Sequence, residues 1–250
     1  MKTITVIIKD LALALLLMLP VYVIAIVTAF VDVPEDISYC IGTPLGLLLC
    51  ILYLKKNQCS LIKDKPFAKP DLIFLILVLL FQLSWTIFSS MFFFTVFKSE
   101  DSNEVTTVYM RIAAVLFAPF AEEIVFRYGM IKLGQKQIRM FSATLLSILI
   151  FDFGHFPDLP SFFSLLGAAV VYSLIFVATN NLFYTIGAHM FNNFIAALSE
   201  IFAKNDAATD THTLADLNVP IFYISIAMLV ITSVLMIKRS GKIKNAKTNE

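Results

Sequence analysis

What this chain of 250 residues has least of is charge. Asp, Glu, Lys and Arg make up 15% of it, where a soluble domain carries about 25%. Hydrophobic residues reach 59% and the mean hydropathy is +0.84, which excludes a water-surrounded globule and indicates an integral membrane protein. A net charge of +1 gives no electrostatic footprint for nucleic acid, and none is expected as a partner. Cysteine is scarce: Cys40, Cys50 and Cys59 have neither metal-site spacing nor the pattern of a disulfide framework. The zinc-protease signature His-Glu-x-x-His is missing, and no Ser or Cys sits in a recognisable nucleophile motif. Internal repeats, low-complexity tracts and a second domain are also lacking, so residues 1–250 are expected to form a single transmembrane domain. The basic, then apolar N-terminus has no small-residue cleavage site and is interrupted by Pro20; it is expected to be an anchor, not a removed signal.

What the sequence does have is apolar runs. A bilayer-crossing helix needs about 20 mostly apolar residues. On that template about eight spans are predicted, at 11–30, 39–54, 72–97, 108–131, 141–156, 162–179, 182–202 and 221–237. The fold class expected is therefore all-α and polytopic. Pro157 and Pro160 are expected to break the chain after span five, and Asn180-Asn181 to make a tight turn between spans six and seven. A basic tail should follow span eight. Lysine and arginine decide orientation. Lys55, Lys56, Lys63, Lys65 and Lys69, then Lys132, Lys136 and Arg139, then the tail from Lys238 fall on one side; Lys98 and Lys204 fall on the other. Both termini are accordingly expected inside, in a multi-pass protein of the cell membrane, with the lipid bilayer as a partner.

Against that background a few polar groups at membrane depth stand out. Glu122, Glu123 and Arg127 lie within span four, and each ionisable group at the bilayer centre costs roughly 2.5–3.5 kcal/mol on insertion scales. On an α-helix Glu123 and Arg127, at i,i+4, share a face and can pair, while Glu122 points roughly 140° away from Arg127. His155 ends span five and His189 lies in span seven, with Asn193 at i,i+4 and Asn192 competing for the same face. His212, in the outer link, is given no role. One account of such groups is interhelical hydrogen bonding. A carboxylate pair with two histidines and an asparagine goes beyond it, because Ser, Thr or Asn would serve an interface at lower cost. The set suits hydrolysis: a carboxylate in a low-dielectric pocket as general base, a histidine beside it to orient water, and further donors for an oxyanion. Zinc on Glu122, His155 and His189 is the one cofactor these residue types leave open.

In chain order the motifs are Glu-Glu-x-x-x-Arg (Glu122, Glu123, Arg127), Phe-x-x-x-His (Phe151, His155) and His-x-x-x-Asn (His189, Asn193). Each lies on a hydrophobic segment, and together they resemble the three signatures of the CPBP family. That family takes in CAAX prenyl endopeptidases, bacteriocin-processing and immunity proteins, and abortive-infection-type membrane proteins. The resemblance covers about 108–202. It implies an intramembrane endopeptidase in which Glu122 and His155 activate water, His189 and Asn193 form the oxyanion site, and Glu123 and Arg127 hold the site together. It leaves glutamate-type and metal-dependent chemistry both open. The substrate it implies is a membrane-associated peptide or protein, with bacterial peptide processing or bacteriocin self-immunity ahead of prenylated CAAX proteins, and a bacterial plasma membrane as the setting. A rival of another class is a non-catalytic regulator, for example a partner of a membrane sensor kinase or of a peptide system.

Overall fold

The computed structural model describes residues 2–31, 36–97, 107–155, 158–203 and 217–248. Lys98, Pro157, Lys204 and His212, which entered the expectations above, lie outside the described residues. No strand occurs among the described residues, and the chain is an all-α, multi-pass membrane protein. In order it forms α1 (Lys2–Thr28), α2 (Ile37–Lys56), the short α3 (Leu61–Asp64) and α4 (Leu72–Phe97). Next comes one broken-pitch segment: α5 (Val108–Ile112), a π-wound turn (Ala113–Phe117), α6 (Ala118–Glu122), a second π stretch (Glu123–Met130) and α7 (Ile131–Gly134). It is followed by α8 (Met140–Phe153), α9 (Leu159–Thr179), α10 (Leu182–Ala203) and α11 (Pro220–Thr248).

Among the described residues five helices are long and apolar enough to cross a membrane: Lys2–Thr28, Ile37–Lys56, Leu72–Phe97, Leu159–Thr179 and Pro220–Ile243, with Met140–Phe153 a shorter apolar helix. Their outer faces are oily, as lipid requires: Leu15 is 70%, Ile26 63% and Ile237 73% exposed. The helix break expected after span five is present: α8 ends at Phe153 and α9 begins at Leu159, with Pro160 in its first turn, where a missing N–H is harmless, behind an Asp158 cap whose Oδ1 accepts from Ser161 N at 2.8 Å. The basic stretch from Lys238 is helical, since α11 continues through it to Thr248.

The helices sort into two compact units, Met1–Pro66 with Glu104–Phe151, and Phe67–Asn103 with Asp152–Glu250. In the first, α1 and α2 run antiparallel at very close approach. Gly42 lies against Val21, Gly46 against Leu17, and Cys50 Sγ donates to Leu13 O at 3.3 Å. Lipid tails are as apolar as leucine, so helix association in a membrane depends on contact quality, and small residues four apart let two backbones meet. Lys136 Nζ donates to Asn57 O (2.8 Å) and Gln58 O (3.0 Å), and Tyr128 OH to Asp64 Oδ2 (2.7 Å), which ties the connector after α2 to the far end of the broken-pitch segment.

In the second unit α4 is the central element, in contact with α9, α10 and α11. Phe74, Val78 and Phe81 pack with Tyr172, Ile175, Tyr184 and Met236. Trp85 Nε1 donates to Ser164 O at 3.0 Å, and Gly167 leaves room for the indole. Asn180, in the left-handed region at φ 49°, turns the chain from α9 into α10. At the start of α4, Asp71 caps Phe74 N (2.8 Å) and takes a two-point bond from Arg239 of α11 (3.1 and 2.5 Å), while its own N–H donates to Tyr184 OH at 2.6 Å. The Arg239 hydrogen bond is the main reason Asp71 titrates below the usual carboxylate range. A depressed carboxyl stabilises above its unfolded pKa, so this bond is intact at neutral pH and is lost only in acid, as pH falls through the lowered value.

Gly46→Ala tests the close approach. Its Cβ would fall 2.0 Å from Leu17 O and 2.7 Å from Leu17 C, atoms that cannot move aside. A loss of about 1–3 kcal/mol or more is expected from such overpacking, read as a lower melting temperature in detergent. Gly241→Ala, with nothing within 4 Å, should melt as wild type.

Candidate active site

The first unit supplies the acidic motif. Thr107 Oγ1 accepts from Met110 N at 3.2 Å and starts the segment. The pitch changes at Ala113 and again at Glu123, so Glu122 closes an α turn and Glu123 opens a π stretch. π insertions are rare and concentrate at functional sites. They also revise the angles: with i→i+5 bonding each turn takes more residues than in an α-helix, so the 140° offset expected between Glu122 and Arg127 from α geometry does not hold. Glu122 is half-buried, whereas Glu123 and Arg127 are both 0% exposed. Arg127 Nε lies 3.4 Å from Glu123 Oε2, which places the two supporting residues together. Over the same guanidinium lies the Phe151 ring, 4.3 Å from Cζ to centroid, and Phe126 packs edge-on against Phe151 at 5.1 Å. Ser147 Oγ donates to Phe126 O at 2.5 Å, which satisfies a carbonyl inside the π stretch.

The second unit supplies both motif histidines. His155 lies in the turn that ends α8, its N–H donating to Asp152 O at 3.0 Å. Asp152 is fully buried, and its carboxylate interacts electrostatically with His155. On α10 His189 is buried against Tyr172, ring centroids 5.8 Å apart. The competition between Asn192 and Asn193 for one role resolves into two roles. Asn192 Oδ1 accepts from Gln82 Nε2 and lies at the same 2.8 Å from Thr86 Oγ1, both on α4. Asn192 Nδ2 donates to Asn193 Oδ1 at 3.2 Å. Gln82, 1% exposed, in turn accepts from Tyr172 OH at 2.8 Å.

Sequence reasoning missed Gln82, Thr86, Tyr172 and the stacking role of Phe151. Gln82 was the findable one: an amide in the middle of the 26-residue apolar run of α4 needs a partner as much as a carboxylate does. Among the described residues no group of three or more His, Cys, Asp or Glu side chains is placed to hold a metal ion.

Residues 104–195 match the family model described as Type II CAAX prenyl endopeptidase Rce1-like. That stretch contains Glu122, Glu123, Arg127, Phe151, His155, His189 and Asn193, and it carries an Rce1-like domain of the CAAX protease family. It excludes α4, and with it Gln82 and Thr86. No curated protein and no solved structure matches the chain.

Arg127→Ala leaves Glu123 as a buried acid without its guanidinium, and removing one partner of a buried pair typically costs about 3–5 kcal/mol. Lower protein levels and a lower melting temperature are expected, apart from any effect on activity. Phe151→Leu keeps the volume apolar but removes the ring face, and should cost less, about 0.5–2 kcal/mol. Wild-type melting of Arg127→Ala would mean that the two are not energetic partners.

Proposed function

We propose that this chain, whose residues 104–195 carry the domain of a CAAX-type protease, is an intramembrane endopeptidase acting on a membrane-associated peptide or protein. The observation that carries the proposal is Glu122: a half-buried carboxylate next in sequence to a fully buried acid–guanidinium pair, within the matched stretch. The pair neutralises Glu123 and leaves Glu122 as the carboxylate for chemistry.

In the proposed reaction Glu122 takes a proton from water, with His155 orienting that water. The resulting hydroxide oxygen bonds to the carbonyl carbon, and the carbonyl π electrons move onto oxygen. His189 and Asn193 donate hydrogen bonds to that oxyanion. As the intermediate collapses, the C–N bond breaks and the proton held by Glu122 goes to the leaving amine. Peptide and water thus become a carboxylic acid and an amine. The proposed setting is a bacterial plasma membrane, with about eight spans and both termini inside. The proposed substrate is a short signalling or bacteriocin-type peptide. Prenylated CAAX proteins are the second reading, favoured by the description of the matching family.

The test uses purified protein in liposomes with two probes, an internally quenched farnesylated CAAX peptide and an internally quenched hydrophobic leader peptide. Glu122→Gln keeps size and hydrogen bonding but not basicity, and should lose about 10²–10⁴-fold in rate with normal expression. Asn193→Ala should lose about 10²–10³-fold. His212→Ala should cleave as wild type. Dialysis against a chelator should leave the rate unchanged; loss restored by zinc alone would put a metal in the mechanism. Full activity of both Glu122→Gln and Asn193→Ala would make the chain a binding partner, as a regulator of a sensor kinase would be.

A further inference from the structure

We infer that Gln82, on α4 and outside the family-matched stretch, is a positioning residue for the oxyanion site: through Asn192 it sets which edge of the Asn193 amide is the donor. The inference rests on the proposed role of Asn193. It is carried by a hydrogen-bond relay contained in the second unit.

The relay has a direction. Tyr172 OH donates to Gln82 Oε1 at 2.8 Å, which turns Gln82 Nε2 toward Asn192 Oδ1, also at 2.8 Å. With its oxygen so engaged, Asn192 offers Nδ2 to Asn193 Oδ1 at 3.2 Å. A primary amide has one acceptor edge and one donor edge, so fixing Oδ1 toward Asn192 makes Nδ2 the opposite edge of Asn193. Every link inverts if one amide flips: Asn193 would then turn its oxygen where its N–H₂ stood, and an oxygen repels an oxyanion. Tyr172 sets the polarity, because a phenol is a strong donor. Thr86 reinforces it, its one hydroxyl proton serving either Gln82 O at 3.0 Å or Asn192 Oδ1 at 2.8 Å, while its lone pairs face Gln82 Nε2 at 3.2 Å.

Burial makes the relay stiff. Gln82 is 1% and Tyr172 3% exposed, so no bulk water is at hand to replace a broken link, and an unmade bond there costs the desolvation of the group. Helix α4 is itself held from both sides, by Trp85 and Ser89 on Ser164 of α9 and by Asp71 on Arg239 of α11. Gln82 therefore transmits the position of a rigid helix to a side chain on α10.

The experiment has two arms. In the first, the protein is labelled with ¹⁵N-asparagine in lipid nanodiscs and the Asn193 side-chain amide signal is assigned by its loss in Asn193→Asp. Gln82→Met, which keeps volume but not hydrogen bonding, and Tyr172→Phe should each shift or broaden that signal. Ser164→Ala, which breaks an α4–α9 contact outside the relay, should leave it in place. An unmoved Asn193 signal in Gln82→Met overturns the inference, whatever the enzyme does. In the second arm, cleavage of the quenched peptides should fall about 10–100-fold in kcat for Gln82→Met with KM little changed, the scale of a small misplacement of a catalytic group. The same change made in Asn193→Ala should cost almost nothing more, since there is no amide left to aim. Additive losses would overturn the inference and make Gln82 a merely structural residue. If wild type cleaves neither probe, the hydrolase proposal fails on these substrates, and the amide signal still decides whether Gln82 positions Asn193.

Discussion

An arginine and a glutamate, both wholly shut off from solvent, set the terms for the broken-pitch segment. Two opposite charges in a low-dielectric interior attract strongly, but each has given up its hydration, and the pair persists only where geometry and further contacts are good. Several features around Glu123 and Arg127 follow from that demand. The Phe151 ring lies over the guanidinium. Phe126 braces Phe151 edge-on, and Ser147 satisfies the Phe126 carbonyl. The change of pitch at Glu123 separates two acids adjacent in sequence, one into full burial and one into partial exposure.

The second unit solves a different problem with uncharged groups. An amide and a phenol inside a membrane protein have no water to fall back on, so each must find its partner in the protein. Gln82, Tyr172, Asn192 and Asn193 form a line in which donor follows acceptor. Such a line carries orientation, which a single hydrogen bond cannot. It joins α9, α4 and α10 through side chains while the surrounding apolar contacts supply the packing.

Close approach takes over the part that the hydrophobic effect plays in water. Gly42 and Gly46 bring α1 and α2 within backbone contact, and Gly167 makes space for Trp85. At the start of α4 the Asp71–Arg239 bond holds α11, but both side chains are partly exposed, at 26% and 30%, so solvent screens it. Position in the chain is here a matter of topology: Arg239 follows Asp71 by 168 residues, yet α11 meets the start of α4 there.

Much was legible without coordinates. The helix over Leu72–Phe97 follows from the length of one apolar run, because a bilayer span leaves the backbone no other way to satisfy its hydrogen bonds. The pairing of Glu123 with Arg127 follows from spacing, since both α and π pitch keep those two within reach. The match of residues 104–195 to the Rce1-like family model goes with short motifs, which record chemistry and not packing. The rest was decided in three dimensions. Nothing in the local sequence announces a π turn, because it depends on neighbours such as Ser147 that accommodate an extra residue. The basic stretch after Ile237 continues α11, and Arg239 on it meets Asp71. Asn192 and Asn193 are indistinguishable as letters; only the arrival of Gln82 and Thr86 from a distant helix shows that Asn192 is the one bonded to α4. Hydrogen-bond direction is a property of pairs, and in this chain the pairs lie about a hundred residues apart.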